Sequence, residues 1–521
     1  MSRTINVRKI PQYILPSLSQ MVFLIVFIAC FTGSGSFLLG DGDTGYHIRA
    51  GGIILKDLAV PRHDPFSFIT PPLPWTAHEW LSEVVMAIVH KALGIPGIVV
   101  FFALLLSTTY WLLFRWIRAR RRNILMDLLV MVLVVLSSRI HWLARPHVFS
   151  LFLVVLLYQI LILHQEERGN YLYVIPPMML LWVNLHGGFI IGFLFIGIFL
   201  LGYILKYFAS AREERPVSVI KGKQLSLVFA ASVLAACVNP FGVHAFLFPF
   251  RVVSETYLMN HVQEFLSPDF HGFAPYRYIL LSLIGVLGLS KARLTVTELI
   301  PVLLFTSMSL YSSRYIPLAA IVYAPILSKH GDILIRQSEA SWSRLLRERS
   351  LIYERIEVSA KGFLIPLLML VVITALSAGK IPIRFPEKTT PTTAIDFLRS
   401  NPLQGNMFNN DEIGDYVIYW LYPNYKVFMD GRSDMYGESI LKEYLKVSAI
   451  ETGWKDVLDK YDINYIFYYT DSVLVRHLLT EEGWRRIYVD NVASIFLRNT
   501  PRNAESIVRF LPRDEAPAPG R

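Results

Sequence analysis

Long apolar runs recur along the chain, and they restrict its fold more than any other feature of the sequence. A helix that crosses the hydrocarbon core of a bilayer needs about 20 mostly apolar residues. Of the 521 residues, 54% are hydrophobic and 17% are charged, and the mean hydropathy of +0.44 is typical of a polytopic membrane protein. By length we predict about eleven transmembrane helices, at roughly 13–39, 95–117, 124–137, 148–163, 171–185, 189–208, 225–238, 277–290, 295–310, 315–328 and 362–379.

The net charge of +10 comes largely from short loops between the apolar runs. Three loops, at 115–122, 206–223 and 329–361, are rich in Lys and Arg. If the runs alternate in direction, these loops lie on the same side as the amino terminus, and the positive-inside rule makes that side the cytoplasm. We therefore interpret the charge as an orientation signal and not as a nucleic-acid footprint. It predicts a multi-pass protein of a cytoplasmic (inner) membrane, with everything after Gly379 extracytoplasmic.

Polar clusters interrupt or end several apolar runs on the predicted outer side. Ionisable groups at this depth are tolerated only where they face a bundle interior or a wet cavity, so we predict a polar funnel that opens outward. Guanidinium groups pair bidentately with phosphate oxygens, which makes the arginines candidate ligands for a lipid phosphate. Arg139 also suits the alternative of an arginine that snorkels at a helix end. The candidate phosphate-binding residues are Arg139, His141, Arg145, His147, His186 and Arg314.

From about Ile381 the composition becomes that of a soluble domain. The predicted elements are helices at 390–400 and 439–447 and buried strands at 426–430 and 464–469. Such alternation argues for a small extracytoplasmic α/β domain. The predicted organisation is therefore a transmembrane domain over 1–379, which includes an outer first loop at 40–94, and a soluble domain over 380–521 with a disordered tail.

Two polar stretches of the terminal domain stand out, Asp411–Tyr416 and Asp430–Gly437. Loops that follow strands in open α/β sheets often bind ligands, although Asp-Gly is also an ordinary turn sequence. We predict that Arg432 and Asp434 contact the acceptor and that this domain caps the funnel. The chemistry is expected to remain in the first loop, because neither stretch contains a complete catalytic constellation.

The first outer loop opens with the sequence GDGDTGYHIR at 40–49. In an extended chain Asp41 and Asp43 point the same way and could share a divalent cation such as Mg or Mn. In a helix, Asp43 and His47 would share a face instead. A lone carboxylate could also act as a general base, and a hydrated turn without function is the alternative.

Two further motifs of the first loop are RHDPF at 62–66 and WTAHEWL at 75–81. The second predicts an amphipathic helix over about 76–93 whose tryptophans suit a membrane interface. A zinc site is conceivable, but the sequence contains no HxxxH pair of the metalloprotease type. The loop residues predicted to support the acidic motif are Arg49, His63, Asp64, His78 and Glu79.

This order of features resembles the polytopic GT-C glycosyltransferases, including protein O-mannosyltransferase and aminoarabinose transferase relatives. The resemblance rests on one helix, a loop that opens with an acidic motif, an interfacial segment at 75–94, many further helices and a terminal outer domain. The chain also resembles uncharacterised bacterial membrane proteins with Asp-Thr-x-Tyr/Trp-His and His-Glu-Trp-Leu signatures, present here at 43–47 and 78–81.

In GT-C enzymes the first-loop acid is catalytic or metal-linked, and the donor is a sugar on a polyprenyl phosphate or diphosphate. The resemblance implies this role for Asp43, with Asp41 second. Many relatives have adjacent acids, whereas Thr44 follows Asp43 here. The terminal domain lacks the Trp-Trp-Asp-type motif of oligosaccharyltransferases, which argues against asparagine as the acceptor.

Together these features predict a membrane glycosyltransferase of the cell envelope. It would transfer a sugar from a polyprenyl-phosphate-type donor to a glycan, lipid or protein acceptor on the outer face of the membrane. Two alternatives remain. A lipid-linked glycan transporter or flippase would line a pathway with the same buried charges, and it would be expected to show related halves, which are not visible in the sequence. A non-catalytic scaffold would sense a polysaccharide through the terminal domain.

The predicted orientation can be tested with reporter fusions. A reporter fused after Gly379 should be active only outside the cytoplasm, and one fused within 329–361 only inside it, because the basic loops fix the cytoplasmic side. Enzymatic assays of a paired periplasmic and cytoplasmic reporter measure both positions. The opposite pattern would reverse the orientation and move every candidate residue to the cytoplasmic side.

Overall fold

The computed structural model describes residues 16–31, 37–120, 123–209, 211, 213, 215–272, 274–359, 362, 364–377 and 383–510. The predicted tail at 516–520 and the residues around Gly379 lie outside these ranges. The helices are α1 (Leu18–Ala29), α2 (Asp43–Asp57), α3 (Trp80–Arg118), α4 (Ile124–Ser138), α5 (His147–Gln165), α6 (Ile175–Leu185), α7 (Phe189–Ala209), α8 (Arg215–Ala236), α9 (Val243–Ser254), α10 (Thr256–His261), α11 (Pro275–Leu289), α12 (Val296–Tyr311), α13 (Ile316–Gln337), α14 (Ser341–Ser359), α15 (Leu364–Ser377), α16 (Thr392–Ser400), α17 (Asp411–Leu421), α18 (Ser433–Ser448), α19 (Trp454–Lys460), α20 (Val473–Leu478) and α21 (Ala504–Phe510). The strands are β1 (Asn406–Asn409), β2 (Ile463–Tyr469), β3 (Trp484–Val489) and β4 (Ala493–Arg498).

The described residues form two compact units. One is drawn from 1–32, 95–249 and 263–383, and the other from 33–94, 250–262 and 384–521. The first outer loop therefore belongs to the same unit as the terminal domain, although the predicted boundaries list it with the transmembrane segment. The division falls within α3 at Gly94, whose φ of 66° is a left-handed conformation that glycine adopts without steric penalty.

Apolar helices build the first unit, which we call the membrane unit. Among the described residues of the whole chain, six helices are long and apolar enough to cross a bilayer. They are Trp80–Arg118, Ile124–His141, His147–Gln165, Phe189–Ala209, Arg215–Ala236 and Ser313–Gln337. Six shorter apolar helices accompany them, including α1, α11 and α12. The prediction of a polytopic α-helical membrane protein is confirmed, while the number of about eleven spans stays a prediction.

A buried carboxylate joins three helices of the membrane unit. Asp127 of α4 is fully buried and accepts hydrogen bonds from Arg118 Nη1 at 2.9 Å and from Ser328 Oγ of α13 at 2.6 Å. Burial of a charge without such partners is costly, so this pairing explains how an aspartate is accommodated in an apolar helix. The Asn123 side chain accepts from the backbone amides of Leu125 and Met126 and starts the same helix.

We call the second unit the outer unit. Its terminal segment, from residue 384 onward, contains a four-stranded sheet in the order β1-β2-β4-β3. β1 pairs with β2 in parallel, and the other two pairs are antiparallel. Helices α16 and α18 and strand β2 confirm the predicted helices at 390–400 and 439–447 and the predicted strand at 464–469. The prediction of a small α/β domain at the carboxyl end is therefore confirmed.

The predicted strand at 426–430 is wrong. Only Val427 pairs, through one isolated bridge to Ser67 of the first loop. The next residues bond to a side chain instead of a strand, because Asn409 Oδ1 accepts from the amide of Phe428 at 2.8 Å and Asn409 Nδ2 donates to the carbonyl of Met429 at 2.7 Å. The run is apolar because it is buried, and apolarity alone does not distinguish a strand from such a segment.

Helix α2 of the first loop packs closely against α17 of the terminal segment. Two glycines of the first loop permit this approach. A Cβ on Gly42 would lie 2.7 Å from the carbonyl oxygen of Glu412, and one on Gly45 would lie 2.7 Å from Cβ of Tyr419. The outer unit thus holds the acidic motif of the first loop against the terminal domain.

Two adjacent glycines of α2 give a matched test of this packing. A Cβ on Gly51 would lie 1.9 Å from the carbonyl oxygen of Glu83, whereas one on Gly52 would meet nothing within 4 Å. Gly51→Ala should lower stability by at least about 1–3 kcal/mol, the usual cost of overpacking. Gly52→Ala should leave it unchanged or raise it by about 0.5–1 kcal/mol, because alanine favours helix. Thermal unfolding of the purified full chain in detergent measures both, and equal midpoints would contradict this packing.

Candidate functional site

The acidic motif of the first loop forms the start of a helix. Asp43 is the first residue of α2, and Gly42 is its N-cap. A carboxylate is favoured here by the partial positive charge of a helix amino terminus. Of the two conformations considered for this motif, the helical one is therefore correct, and His47 lies one turn after Asp43. Asp41 precedes the helix and is half-buried.

A second carboxylate, Asp415 of α17, lies beside Asp43 and is 1% exposed. The backbone amide of Gly431 donates to Asp415 Oδ1 at 3.1 Å. The Asp415 carboxyl group also shares a side-chain hydrogen bond with that of Asp43. A Cβ on Gly431 would lie 2.3 Å from Asp43 Oδ1 and 3.1 Å from Asp415 Oδ2, so both carboxylates pack closely against this glycine. We call Asp43 and Asp415 the acidic centre.

Burial and like charge shape the electrostatics of the acidic centre. Burial raises the pKa of Asp415 well above its usual range, and the neighbouring charges of Asp43 and Asp430 raise it further. Burial likewise raises the pKa of Glu412, one turn earlier on α17, to about 7. Negative charge is thus concentrated here, and it favours a proton or a cation over a further anion.

Arg432 is the buried cation next to this centre. Its Nε donates to Asp430 Oδ1 at 2.8 Å, and its Nη2 donates to Asp430 Oδ2 at 2.6 Å and to Asp64 Oδ1 at 2.7 Å. The guanidinium carbon also lies 4.6 Å from the ring centre of Trp75 and 4.9 Å from that of Phe66. Arg432 therefore joins the terminal segment to the first loop, and its role in acceptor binding stays a prediction.

Asp64, the loop partner of Arg432, is held in place by its own backbone. Its carboxylate accepts from the amides of Phe66 and Ser67 at 2.9 and 3.0 Å. Burial raises the pKa of Asp64, but the Arg432 charge and these hydrogen bonds lower it more, so the net pKa lies below its usual range. Asp64 is therefore an ionised structural partner. Asp434, the other predicted acceptor ligand, is half-buried at the second position of α18.

Of the remaining predicted loop residues, Glu79 lies between His47 and His78. His47 Nδ1 lies 3.3 Å from Glu83 Oε1, and its Nε2 lies 3.8 Å from Glu79 Oε2. His78 Nε2 approaches the other oxygen of Glu79 at 3.7 Å. Arg49 turns to α17, where its Nε donates to the carbonyl of Tyr419 at 2.7 Å, and His63 is exposed.

The predicted phosphate ligands come together in the membrane unit. Glu264, which the sequence reasoning missed, pairs with Arg145 and lies 3.9 Å from Arg314 Nη1. His147 Nε2 contacts the carbonyl of His141 at 2.7 Å. The His147 ring centre lies 6.2 Å from that of His141 and 6.5 Å from that of His186. Arg139 begins the 3-10 turn Arg139–His141 in the same region. We call this set the arginine cluster.

Two residues that matter here were not singled out from the sequence. Asp415 lay within a noted polar stretch, but its distance of 372 positions from Asp43 hides their contact. Glu264 had a usable signal, because two arginines in an apolar setting require an anionic partner.

A divalent cation is the group that the carboxylates suggest. Among the described residues, no three His, Cys, Asp or Glu side chains come together in a way that could hold a metal ion. Mg²⁺, however, is commonly bound through one or two carboxylates together with waters and substrate phosphates. The carboxylates of Asp43 and Asp415 offer oxygen ligands of this type, and a Cβ on Gly431 would lie only 2.3 Å from Asp43 Oδ1, so the two side chains are already closely packed there.

Comparisons with known proteins identify the type of fold. No protein-family model and no curated protein matches the sequence. The structure is similar to the apo oligosaccharyltransferase of Archaeoglobus fulgidus, with a TM-score of 0.52, 11% identity, and coverage of 87% of this chain and 70% of that one. It is also similar to the archaeal oligosaccharyltransferase AglB from Archaeoglobus fulgidus in complex with an inhibitory peptide and a dolichol-phosphate, with a TM-score of 0.53, 12% identity, and coverage of 93% and 74%.

The chain has a GT-C-type fold. At sequence identities of 11% and 12%, the structural similarity establishes the fold of this chain and not its activity. The GT-C resemblance drawn from the first loop and the order of helices is therefore confirmed as to fold. A relationship to protein O-mannosyltransferases or aminoarabinose transferases in particular stays a prediction.

The buried pairing of Arg432 in this GT-C fold predicts a large stability effect. Arg432→Met should destabilise the protein by about 3–5 kcal/mol, because Asp64 and Asp430 would be left as buried charges without a cation. Denaturant or thermal unfolding of the purified full chain measures the loss.

The matched control is Arg399→Met. Arg399 pairs with Asp396 on the surface, where such pairs contribute little, so its unfolding midpoint should not change measurably. A second variant, Arg432→Met with Asp64→Asn, should recover part of the loss because it removes one stranded charge. An Arg432→Met protein as stable as the wild type would contradict the joining role of Arg432.

Proposed function

We propose that this protein is a membrane glycosyltransferase that transfers a sugar from a polyprenyl-phosphate-type lipid to an acceptor on the outer face of a cytoplasmic membrane. The observation that carries the proposal is a buried acid, Asp43, at the first helix start after the first apolar span of a GT-C fold. The proposed orientation has a cytoplasmic amino terminus and an extracytoplasmic terminal domain.

Asp43 is the proposed catalytic acid, with Asp41 and His47 nearby in sequence. As a general base, its carboxylate would take the proton of an acceptor hydroxyl as the new glycosidic bond forms. A divalent cation held by the Asp43 carboxylate would supply electrostatic stabilisation of developing negative charge. His47 is held by Glu79 and Glu83, which fixes the orientation of its ring one helical turn away.

The arginine cluster is the proposed binding site for the donor phosphate. Burial raises the pKa of Glu264, but the charges of Arg145 and Arg314 lower it more, so its net pKa lies well below the usual range and the carboxylate is ionised. One carboxylate faces two guanidinium groups, and guanidinium groups are suited to bind phosphate oxygens. The rings of His141, His147 and His186 adjoin one another in this cluster and are further proposed ligands, together with Arg139 of the 3-10 turn Arg139–His141.

The lipid-linked donor draws support from a solved structure of the same fold, since AglB was obtained with a dolichol-phosphate and an inhibitory peptide. A phosphate on a long isoprenoid matches the chemistry of an arginine cluster within an apolar helical unit. The acceptor of this chain is proposed only by class, as a glycan, lipid or protein, with Arg432 and Asp434 as its predicted contacts.

Substitution of Asp43 tests the proposal. In reconstituted vesicles given a radiolabelled polyprenyl-phosphate sugar and an extract of envelope acceptors, Asp43→Asn should lower transfer at least about 100-fold, the usual contribution of a general base. Arg145→Met and Arg314→Met should chiefly raise the KM for the donor, because they remove phosphate contacts.

The matched control is Asp57→Asn at the exposed end of the same helix, which should retain full transfer. Full transfer by Asp43→Asn would overturn the assignment. Movement of the labelled lipid across the bilayer without transfer would identify a transporter, and binding without turnover or movement would identify a sensing scaffold.

A further inference from the structure

Helix α14 turns polar side chains toward the membrane unit. Ser350 Oγ accepts from the amide of Ile124 at 2.9 Å, at the start of α4. The Glu357 carboxylate accepts from the amide of Leu18 and, at 3.0 Å, from Ser19 Oγ, at the start of α1. Because the first amides of a helix have no partner within that helix, these contacts stabilise the starts of both α4 and α1.

Two longer side chains complete this inward side of α14. Glu354 accepts from Arg118 Nη2 at 3.3 Å, and Arg347 Nη1 donates to the carbonyl of Ile335 at 2.6 Å. Positions 347, 350, 354 and 357 follow one another at intervals of three or four residues, which places them along one side of a helix. The side of α14 that contacts the protein is therefore its polar side.

A second side of α14 is apolar and exposed. Trp342, Leu345, Ile352 and Tyr353 are each between 43% and 53% exposed. The spacing of three and seven residues from Trp342 to Leu345 and on to Ile352 places these side chains along one stripe. We call the four residues the apolar stripe. In a helix of a soluble protein such a stripe faces the core, whereas here the polar side has that place.

The remaining exposed surface of α14 is mostly basic. Its exposed ionisable side chains are Arg344, Glu348, Arg349 and Arg355, which are three arginines and one glutamate. Arg344, Glu348 and Arg355 lie on a third side of the helix by their spacing of four and seven residues, and Arg349 lies beside the apolar stripe. The surface that the protein itself does not cover is thus both apolar and cationic.

This combination identifies what covers the helix. Seven charged residues among 19 make α14 unsuited to cross a bilayer. A helix with tryptophan and leucine on one side and arginines on another is typical of one that lies in the plane of a membrane interface. Anionic headgroups attract such arginines, whereas a second copy of the chain would bring like charges together. The helix also belongs to the loop 329–361, which is predicted to be cytoplasmic.

We propose that α14 binds the bilayer surface on the predicted cytoplasmic side, with the apolar stripe among acyl chains and with Arg344, Arg349 and Arg355 at the headgroups of anionic lipids. The inward side of the same helix holds the starts of α1 and α4, so bound lipid would stabilise the membrane unit at this end. Neither the sugar donor nor the acceptor enters this proposal.

Quenching by lipids with brominated acyl chains tests the position of the helix. The full chain carries Cys237→Ala, which leaves the buried Cys30 as its native cysteine, and a fluorophore on Leu345→Cys or Leu351→Cys. The two leucines are similarly exposed, at 53% and 57%, but Leu351 shares the charged side of the helix. In nanodiscs of equal parts phosphatidylcholine and phosphatidylglycerol, brominated lipid should quench the label at 345 and spare the label at 351.

The choice of brominated lipid tests the preference for anionic headgroups. Brominated phosphatidylglycerol should quench the label at 345 more strongly than brominated phosphatidylcholine does. The triple variant Arg344→Gln, Arg349→Gln and Arg355→Gln should lose this difference.

The matched control removes three exposed charges from other loops on the same predicted side. It is the triple variant Lys206→Gln, Lys223→Gln and Arg293→Gln, and it should keep the difference between the two brominated lipids.

Three results would overturn the proposal. The first is a label at 345 that brominated lipids quench no more than the label at 351. The second is equal quenching of the wild type by the two brominated lipids. The third is a label at 345 that is shielded from lipid only when two copies of the chain share a nanodisc, which would identify this surface as a dimer interface.

Discussion

The buried ion pair of Arg432 with Asp430 and Asp64 is the interaction on which the outer unit depends. Asp430 and Arg432 come from the terminal segment, and Asp64 comes from the first loop. Because a buried guanidinium tolerates only a narrow geometry, this pairing fixes the first loop against the terminal domain. Asp43, which lies 21 positions before Asp64, is thereby brought to Asp415. The acidic centre exists only because these two segments, distant in sequence, fold as one unit.

The candidate site residues of the two units carry opposite charges. In the membrane unit, the guanidinium groups of Arg145 and Arg314 share one carboxylate, Glu264. In the outer unit, two buried carboxyl groups, those of Asp43 and Asp415, lie side by side. A transferase for a phosphate-linked sugar needs both kinds of surroundings, one to bind the phosphate and one to activate a hydroxyl or bind a cation.

The local pattern of the sequence was sufficient to predict the architecture and part of the candidate site. Apolar length identified the membrane helices, and periodicity located α16, α18 and β2, because these depend on near neighbours in sequence. The acidic motif pointed to Asp43, and the outer arginines pointed to the arginine cluster. Asp415, Glu264 and the internal pairing of Arg432 were missed or given other roles, since each depends on partners far away in the chain. The strand predicted at 426–430 was wrong for the same reason, because the Asn409 side chain forms the hydrogen bonds that a neighbouring strand would form.

The most direct test of the central claim is an experimental structure of the full chain in a lipid nanodisc with Mn²⁺ and a polyprenyl phosphate. A glycosyltransferase of the proposed kind should show the lipid phosphate in contact with Arg145 and Arg314, and a metal density bound by Asp43. The claim would be contradicted by a lipid phosphate bound away from both arginines together with no metal density at Asp43.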